Sequence, residues 1–205
     1  MQKISYSEPY GMQQAVFEGY KTMTRREPIF EEIKNPRTEF DKKGHLCLYD
    51  GDRLVHVSRY AVGEEVAIAQ RYCDIANDPY FKDQCAADEL SVKWDIAMSK
   101  GWSNKMFVKA WLMPRRQIIT DIKAERLQGI SEEDCLKEGI QEYFPYIDRN
   151  PNDKVRTFQY FKDGKIHHRI SPASKCFAYL IDDIHGKGTW ERNPWVMAYS
   201  FKLVK

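Results

Sequence analysis

The segment Gly19-Tyr20-Lys21-Thr22-Met23-Thr24-Arg25-Arg26 supplies one amine, two threonine hydroxyls and two guanidinium groups within eight residues. No other window of the chain combines these groups. The run before it carries apolar residues at helical spacing, which predicts a short helix over residues 12–18. Gly19 is expected to end that helix, because glycine adopts positive φ without steric cost. The polar groups that follow are suited to an anionic or strongly polar ligand.

Strand and helix patterns alternate irregularly on either side of this segment. Alternating or β-branched runs predict strands over residues 45–49, 53–57, 62–72, 107–113, 117–127, 158–161, 166–170 and 195–203. A helix is expected to begin with a capping box at Ser131 and to stop at Gly139. A second helix is expected after Ser171, as its cap, with Pro172 at the first helical position. Residues 27–43 are charged and proline-bearing, so we expect a loop there. This mixture predicts the α+β class.

Composition is typical of a soluble globular protein. The chain has 205 residues, 42% of them hydrophobic, and a net charge of +2, so only a local patch would attract nucleic acid. The five cysteines are scattered without a metal-ligand spacing, which predicts neither a disulfide framework nor a metal site. We expect one cytoplasmic domain over residues 1–205, with no membrane partner and no cofactor.

Three blocks in order carry a family resemblance: Gly19–Arg26, Glu125–Gly139 and Trp190–Val196. Together they make the chain resemble the ASCH domain family, particularly its phage and prophage branch. The resemblance implies a PUA-like small β-barrel with flanking helices. The chain departs from the compact family pattern through helical or hairpin insertions near residues 73–101 and 141–170, and through Glu64, where an Asp commonly follows glycine.

The resemblance also implies two functions of different classes. One is binding of RNA, a nucleoside or a nucleotide in a polar cleft around Lys21 and Thr24. The other is an enzyme activity, hydrolysis of the amide of N4-acetylcytidine or a similar modified nucleoside, as in small bacterial members. Carried over to this chain, the catalytic residues are Lys21, Thr24 and Glu138, and the ligand-binding residues are Thr22, Arg25 and Arg26.

The chemistry of these residues sets two conditions on the enzyme hypothesis. A threonine hydroxyl becomes a nucleophile only when a base takes its proton, and Lys21 can do so only if burial or neighbouring cations lower its pKa. Side chains alternate along a strand, so Lys21 and Thr24 would point apart unless a turn brings them together. A solvated loop is the alternative interpretation of the whole segment.

Other polar and aromatic groups have plainer interpretations. His167 and His168 alternate in a predicted strand, so they face apart and make a poor metal pair. We expect packing rather than base stacking from Trp102, Trp111, Trp190 and Trp195, and a solvated basic face from Lys105, Lys109, Arg115 and Arg116. A third functional hypothesis is an accessory protein that binds protein partners through the two insertions.

Overall fold

A computed structural model describes residues 1–77, 98–143 and 156–204 of the chain. The chain divides into two compact units. Unit 1 comprises Met1–Tyr6, Glu64–Ile118 and Leu203–Lys205, and unit 2 comprises Ser7–Gly63 and Ile119–Lys202. The expectation of one domain over residues 1–205 stays a prediction.

Unit 1 is built on a small mixed ladder and a run of short turns. Strand β1 (Lys3–Ile4) pairs parallel with β6 (Glu65–Ile68), and β6 pairs antiparallel with the first residues of β7 (Arg116–Arg126). Helix α2 (Tyr72–Asn77) follows β6, and three 3-10 turns lie at Lys100–Trp102, Lys105–Phe107 and Ala110–Leu112. The core of the unit contains Ala67, Ala69, Tyr72, Ile75, Val108 and Met113.

Unit 2 contains most of the sheet structure. Strand β2 (Met23–Ile29) pairs antiparallel with β11 (Trp195–Leu203), with Thr24 opposite Tyr199. Three further strands form a meander, β3 (Pro36–Phe40), β4 (His45–Asp50) and β5 (Arg53–Ala61). Another three-stranded sheet consists of β8 (Gln141–Tyr143), β9 (Thr157–Lys162) and β10 (Lys165–Ile170). Its strand order is β10-β9-β8.

The described part of unit 2 contains the helices α1 (Met12–Phe17), α3 (Glu132–Lys137), α4 (Ala173–His185) and α5 (Thr189–Arg192). Of these, α4 contacts β9 and β10, and α3 contacts β2. Helix α4 buries Cys176, Phe177, Leu180 and Ile181, a spacing that places one apolar stripe against the core. Helix α3 begins as expected, because the Ser131 hydroxyl accepts a hydrogen bond from the Asp134 amide at 3.1 Å.

The predicted α+β class is confirmed, with mostly sheet and few helices. The hairpins around Gly51 and Gly164, the helices before Gly19 and Gly139, and the last strand all lie where the patterns predicted them. Across the described ranges, the strand ladders form separate sheets that do not close into a barrel. The PUA-like barrel therefore stays a proposal.

The expected loop over residues 27–43 was wrong in part. Strand β2 continues to Ile29, and β3 occupies Pro36–Phe40. All five residues of β3 are exposed, so the strand has no apolar alternation for a sequence pattern to detect. It forms because the turn ending at Gly44, with φ of 86°, lets Phe40 pair with Leu46 and the ladder continue to Pro36.

Two strand predictions were also wrong in unit 1. Residues 107–113 form 3-10 turns, and the Lys109 amide donates to the Tyr72 hydroxyl at 2.8 Å instead of to a neighbouring strand. The expected strand over residues 62–72 is confined to Glu65–Ile68, since α2 already begins at Tyr72.

The predicted insertions lie partly outside the described residues. Of the first, residues 78–97 are outside, and of the second, residues 144–155. Within the described part of the chain, every helix is too short or too polar to span a lipid bilayer.

Candidate functional site

The polar segment lies in unit 2, where a tight turn joins α1 to β2. Gly19 has φ of 84°, and the Lys21 amide returns to the Ala15 carbonyl at 3.0 Å. The Thr22 amide then donates to the Lys137 carbonyl at 2.9 Å. These backbone bonds place Lys21 beside the end of α3, where Glu138 caps the helix.

Lys21 and Glu138 form a buried ion pair. The Lys21 ammonium donates to Glu138 Oε2 at 2.7 Å and to the Glu138 carbonyl at 2.6 Å. The two side chains are only 4% and 6% exposed. Glycine at position 139 permits this approach, because its φ of 101° is a backbone conformation that other residues rarely adopt.

The pKa of Lys21 lies below its ordinary value. Burial is the main cause, since it penalises the charged amine. The Glu138 carboxylate opposes the shift, while the charges of Arg26 and Arg25 add to it. The condition that the enzyme hypothesis set on this amine, a lowered pKa from burial and neighbouring cations, is therefore present.

Arg25 is the centre of a larger buried network. Its guanidinium group donates to Glu125 at 2.8 Å through Nε, to Glu138 at 3.0 Å through Nη1 and to Asp134 at 3.3 Å through Nη2. The side chain is 1% exposed. Three carboxylates, from β7, from α3 and from the C-cap of α3, thus hold one arginine in a fixed position. Each of these carboxylates also lies near a second cation.

Lys123 supplies the outer cation of this network. Its ammonium lies 2.6 Å from Asp134 and 3.1 Å from Glu125. Burial alone would raise the pKa of Asp134, but the hydrogen bond and charge of Lys123, with the charge of Arg25, lower it below the ordinary value. Asp134 is therefore ionised at neutral pH, and the side chains of Lys21, Arg25 and Lys123 lie against the three carboxylates.

Thr24 is not joined to this pair. It lies in β2 between Met23 and Arg25. The side chains of Met23 and Arg25 lie on the same face of the strand, as the 3.3 Å contact between Arg25 Nη1 and the Met23 sulfur shows. Alternation places Thr24 on the other face. In the described ranges no hydrogen bond links its hydroxyl to Lys21 or Glu138. The structure thus brings together two of the three predicted catalytic residues.

The predicted ligand-binding residues Thr22, Arg25 and Arg26 lie in different environments. Thr22 contributes backbone contacts, accepting from the Phe201 amide at 2.9 Å. Arg25 and Arg26 line a small open pocket with a cavity volume of about 20 Å³, room for about one water molecule. Its other walls are apolar or weakly polar: Pro28, Leu127, Ile181, His185, Thr189, Pro194 and Val196.

Sequence reasoning missed His185 and Thr189 in this pocket. Both follow from helix geometry, because His185 ends α4 one turn after the buried Ile181 and Thr189 begins α5. Although His185 is an exposed residue, partial desolvation of its imidazole at the pocket lowers its pKa, the charge of Arg26 lowers it further, and Glu138 opposes both. The imidazole is therefore neutral at pH 7 and able to donate or accept a hydrogen bond.

Comparison of this chain with protein-family models, with curated proteins and with solved structures finds no match in any of the three. The resemblance to the ASCH family therefore stays a proposal.

Proposed function

We propose that this protein is an ASCH-type, PUA-like nucleic-acid or nucleotide-binding protein whose ligand binds at the pocket beside Arg25 and Arg26. The observation that supports the proposal is the pocket itself, which places two guanidinium groups, an imidazole and a hydroxyl among apolar walls. Ligand sites in proteins typically have this character, with few polar groups on a mostly apolar surface.

The two parts of a nucleotide suit the two parts of this pocket. A base is planar and largely apolar on its faces, so it can lie over the mouth of the pocket against the exposed Pro28. A phosphate or a base carbonyl can accept from the fork of donors on Arg26. The neutral imidazole of His185 adds a hydrogen-bonding group without adding charge.

Arg25 is better suited to positioning than to charge attraction. Its guanidinium already donates to Glu125, Asp134 and Glu138, which offset its charge. The same bonds hold β2 in place, so Arg26 is carried on a rigid strand. Preorganisation of this kind reduces the entropy lost when a ligand binds.

Calorimetric titration with ribonucleoside monophosphates tests the proposal. Arg26→Ala is expected to weaken binding about tenfold or more, because a hydrogen bond to a charged group contributes roughly 1.5–3 kcal/mol. Arg53→Ala is the matched control, since it removes the same charge from an exposed arginine of unit 2. Absence of binding to all four monophosphates, or equal weakening in both variants, would overturn the pocket assignment.

A second candidate is hydrolysis of an N4-acylated cytosine, which the buried Lys21–Glu138 pair favours. In that reaction water replaces the amide nitrogen at the acetyl carbon and releases acetate and cytidine. Lys21 would act as base and Glu138 as proton carrier to the leaving nitrogen. Thr24 would have to reach the carbonyl carbon from the other face of β2.

Incubation with N4-acetylcytidine, followed by measurement of cytidine release, tests this candidate. Thr24→Val keeps the shape of the side chain and removes only the hydroxyl, so it should abolish turnover if Thr24 is the nucleophile. Lys21→Ala should do the same. No turnover in the natural sequence, or unchanged turnover in either variant, ends the proposed mechanism.

A further inference from the structure

Unit 1 carries a second cationic and aromatic surface. Three tripeptides repeat a lysine, one other residue and an aromatic residue: Lys100-Gly101-Trp102, Lys105-Met106-Phe107 and Lys109-Ala110-Trp111. Each overlaps one of the three 3-10 turns. We call these nine residues the Lys-x-aromatic surface.

The aromatic side chains of this surface face solvent. Trp111 is 62% exposed, Phe107 56% and Trp102 38%. This contradicts the expectation that Trp102 and Trp111 serve packing. The residues that do pack are Gly101, Val108 and Met113, which are buried. Large apolar side chains exposed together in this way commonly mark a binding surface.

The backbone under the exposed rings is fixed in place. A Cβ at Gly101 would overlap the Tyr72 ring, so the turn lies directly on that ring. The Tyr72 hydroxyl accepts from the Lys109 amide at 2.8 Å. The Lys3 ammonium donates to the carbonyls of Met106 and Val108 at 2.7 and 2.6 Å. The rings are therefore presented on a preorganised base.

The charge of this region has one sign. Residues 98–116 contain five lysines and arginines and no aspartate or glutamate. Lys105 donates to the Tyr6 carbonyl, and Arg116 pairs with Glu65 at 2.8 Å. Lys100 and Lys109 are exposed, and their ammonium groups lie over the Phe107 and Trp111 rings, 5.5 Å and 5.7 Å from the respective ring centres.

We propose that the Lys-x-aromatic surface binds single-stranded nucleic acid, with bases stacked on Phe107 and Trp111 and phosphates held by Lys100 and Lys109. A cation beside each ring matches the alternation of base and phosphate along a strand. An anionic membrane surface is the competing partner, because lysines beside exposed aromatic rings also suit a membrane interface. This surface lies in unit 1 and does not depend on the pocket of unit 2.

Fluorescence anisotropy with a labelled oligouridylate of about 15 nucleotides, which exceeds most single-site lengths, tests the proposal on the full chain. Trp111→Ala and Phe107→Ala should each weaken binding about tenfold, because base stacking on an aromatic ring contributes substantially per base. Trp111→Phe should retain most of the affinity. Tyr179→Ala is the control, since it removes a 41% exposed aromatic ring from unit 2.

Salt dependence separates the phosphate contacts from the stacking. Lys100→Ala and Lys109→Ala should each reduce the slope of log K against log salt by about 0.7 for a single strand. Lys42→Ala, an exposed lysine of unit 2, should leave the slope unchanged. The stacking variants should lower the affinity at every salt concentration without changing the slope.

Four results would overturn this proposal. They are no oligonucleotide binding, equal affinity for a duplex of the same length, equal loss in Trp111→Ala and Tyr179→Ala, and Trp111-dependent binding to phosphatidylserine vesicles in place of the oligonucleotide. The pocket proposal fails separately. Arg26→Ala should leave oligouridylate binding intact, and Trp111→Ala should leave mononucleotide binding intact.

Discussion

Arg25 and Lys21 share one carboxylate, that of Glu138, through different oxygens. Arg25 Nη1 donates to Oε1 at 3.0 Å, and Lys21 Nζ donates to Oε2 at 2.7 Å. Both bonds are buried, and they connect the beginning of β2 to the end of α3. Glu138 is therefore a structural link as well as a candidate proton carrier.

Removal of Glu138 should destabilise the fold strongly. Glu138→Ala leaves the Lys21 ammonium buried without its carboxylate, and we expect the free energy of unfolding to fall by about 3–5 kcal/mol. Urea unfolding followed by circular dichroism measures this change. Glu133→Ala is the matched control on α3, because its carboxylate is 77% exposed and pairs with Lys137 across one turn.

The control should cost no more than about 0.5 kcal/mol, as is usual for an exposed helix pair. Equal effects of the two substitutions would contradict the assignment of Glu138 to a buried network. Normal stability of Glu138→Ala would do so too.

The ionised state of Asp134 should make stability fall in acid. Burial opposes ionisation of this carboxyl, but Lys123 and Arg25 lower its pKa below the ordinary value. A carboxyl with a lowered folded-state pKa contributes stability that is complete above about pH 4 and is lost as the pH falls through the folded value. Asp134→Asn should therefore flatten the decline below pH 4.

Urea unfolding at successive pH values between neutral and strongly acidic checks this sign. Asp52→Asn is the control, since Asp52 is exposed in the hairpin turn. An unchanged acid slope in Asp134→Asn would show that Lys123 and Arg25 do not stabilise the charged form.

The elements that the sequence predicted correctly are those with a strong local signal. The β4–β5 hairpin has an Asp-Gly turn between apolar runs, and α4 has a regular apolar stripe. Strand β3 has no such signal, because both of its faces are exposed and only the ladder to β4 defines it. The alternation of apolar and polar residues indicates which face of a strand is buried, so it does not detect a strand whose two faces are both exposed.

The candidate site was predictable only in its residue types. The sequence identifies Lys21 and Glu138 as candidate residues. The hydrogen bond from the Thr22 amide to the Lys137 carbonyl, which brings them together, is a feature of the backbone geometry. His185 was missed because it lies far along the chain and reaches the pocket only through the packing of α4. The Lys-x-aromatic repeat was visible in the sequence, whereas the exposure of its rings was not.

The beginning of α4 offers a test of one corrected expectation. Ser171 was expected to cap this helix, but Glu132 accepts from the amides of Ala173 and Ser174, the latter at 3.0 Å. A carboxylate at a helix N-terminus contributes about 0.3–1 kcal/mol, and up to about 2 kcal/mol when partly buried. Glu132→Ala should therefore destabilise the protein by about 1 kcal/mol, and Ser171→Ala by less than half of that. Thermal and urea unfolding of the two variants compare them directly, and the reverse order would restore Ser171 as the cap.

The pKa of His185 provides a direct measure of the pocket's electrostatics. Partial desolvation of this exposed residue lowers its pKa, Arg26 lowers it further, and Glu138 acts in the opposite direction. Nuclear magnetic resonance titration of the imidazole should thus give a midpoint below the ordinary value of about 6.5. Arg26→Ala should raise the midpoint, because it removes a repelling cation, whereas Arg53→Ala should leave it unchanged. Because the unfolded chain binds this proton more readily, stability should also fall as the pH drops below about 6.5. Two results would contradict this prediction: a midpoint above the ordinary value, and a midpoint that Arg26→Ala lowers. Either result would mean that the carboxylates act on His185 more strongly than Arg26 does, and that the pocket lacks the proposed cationic character.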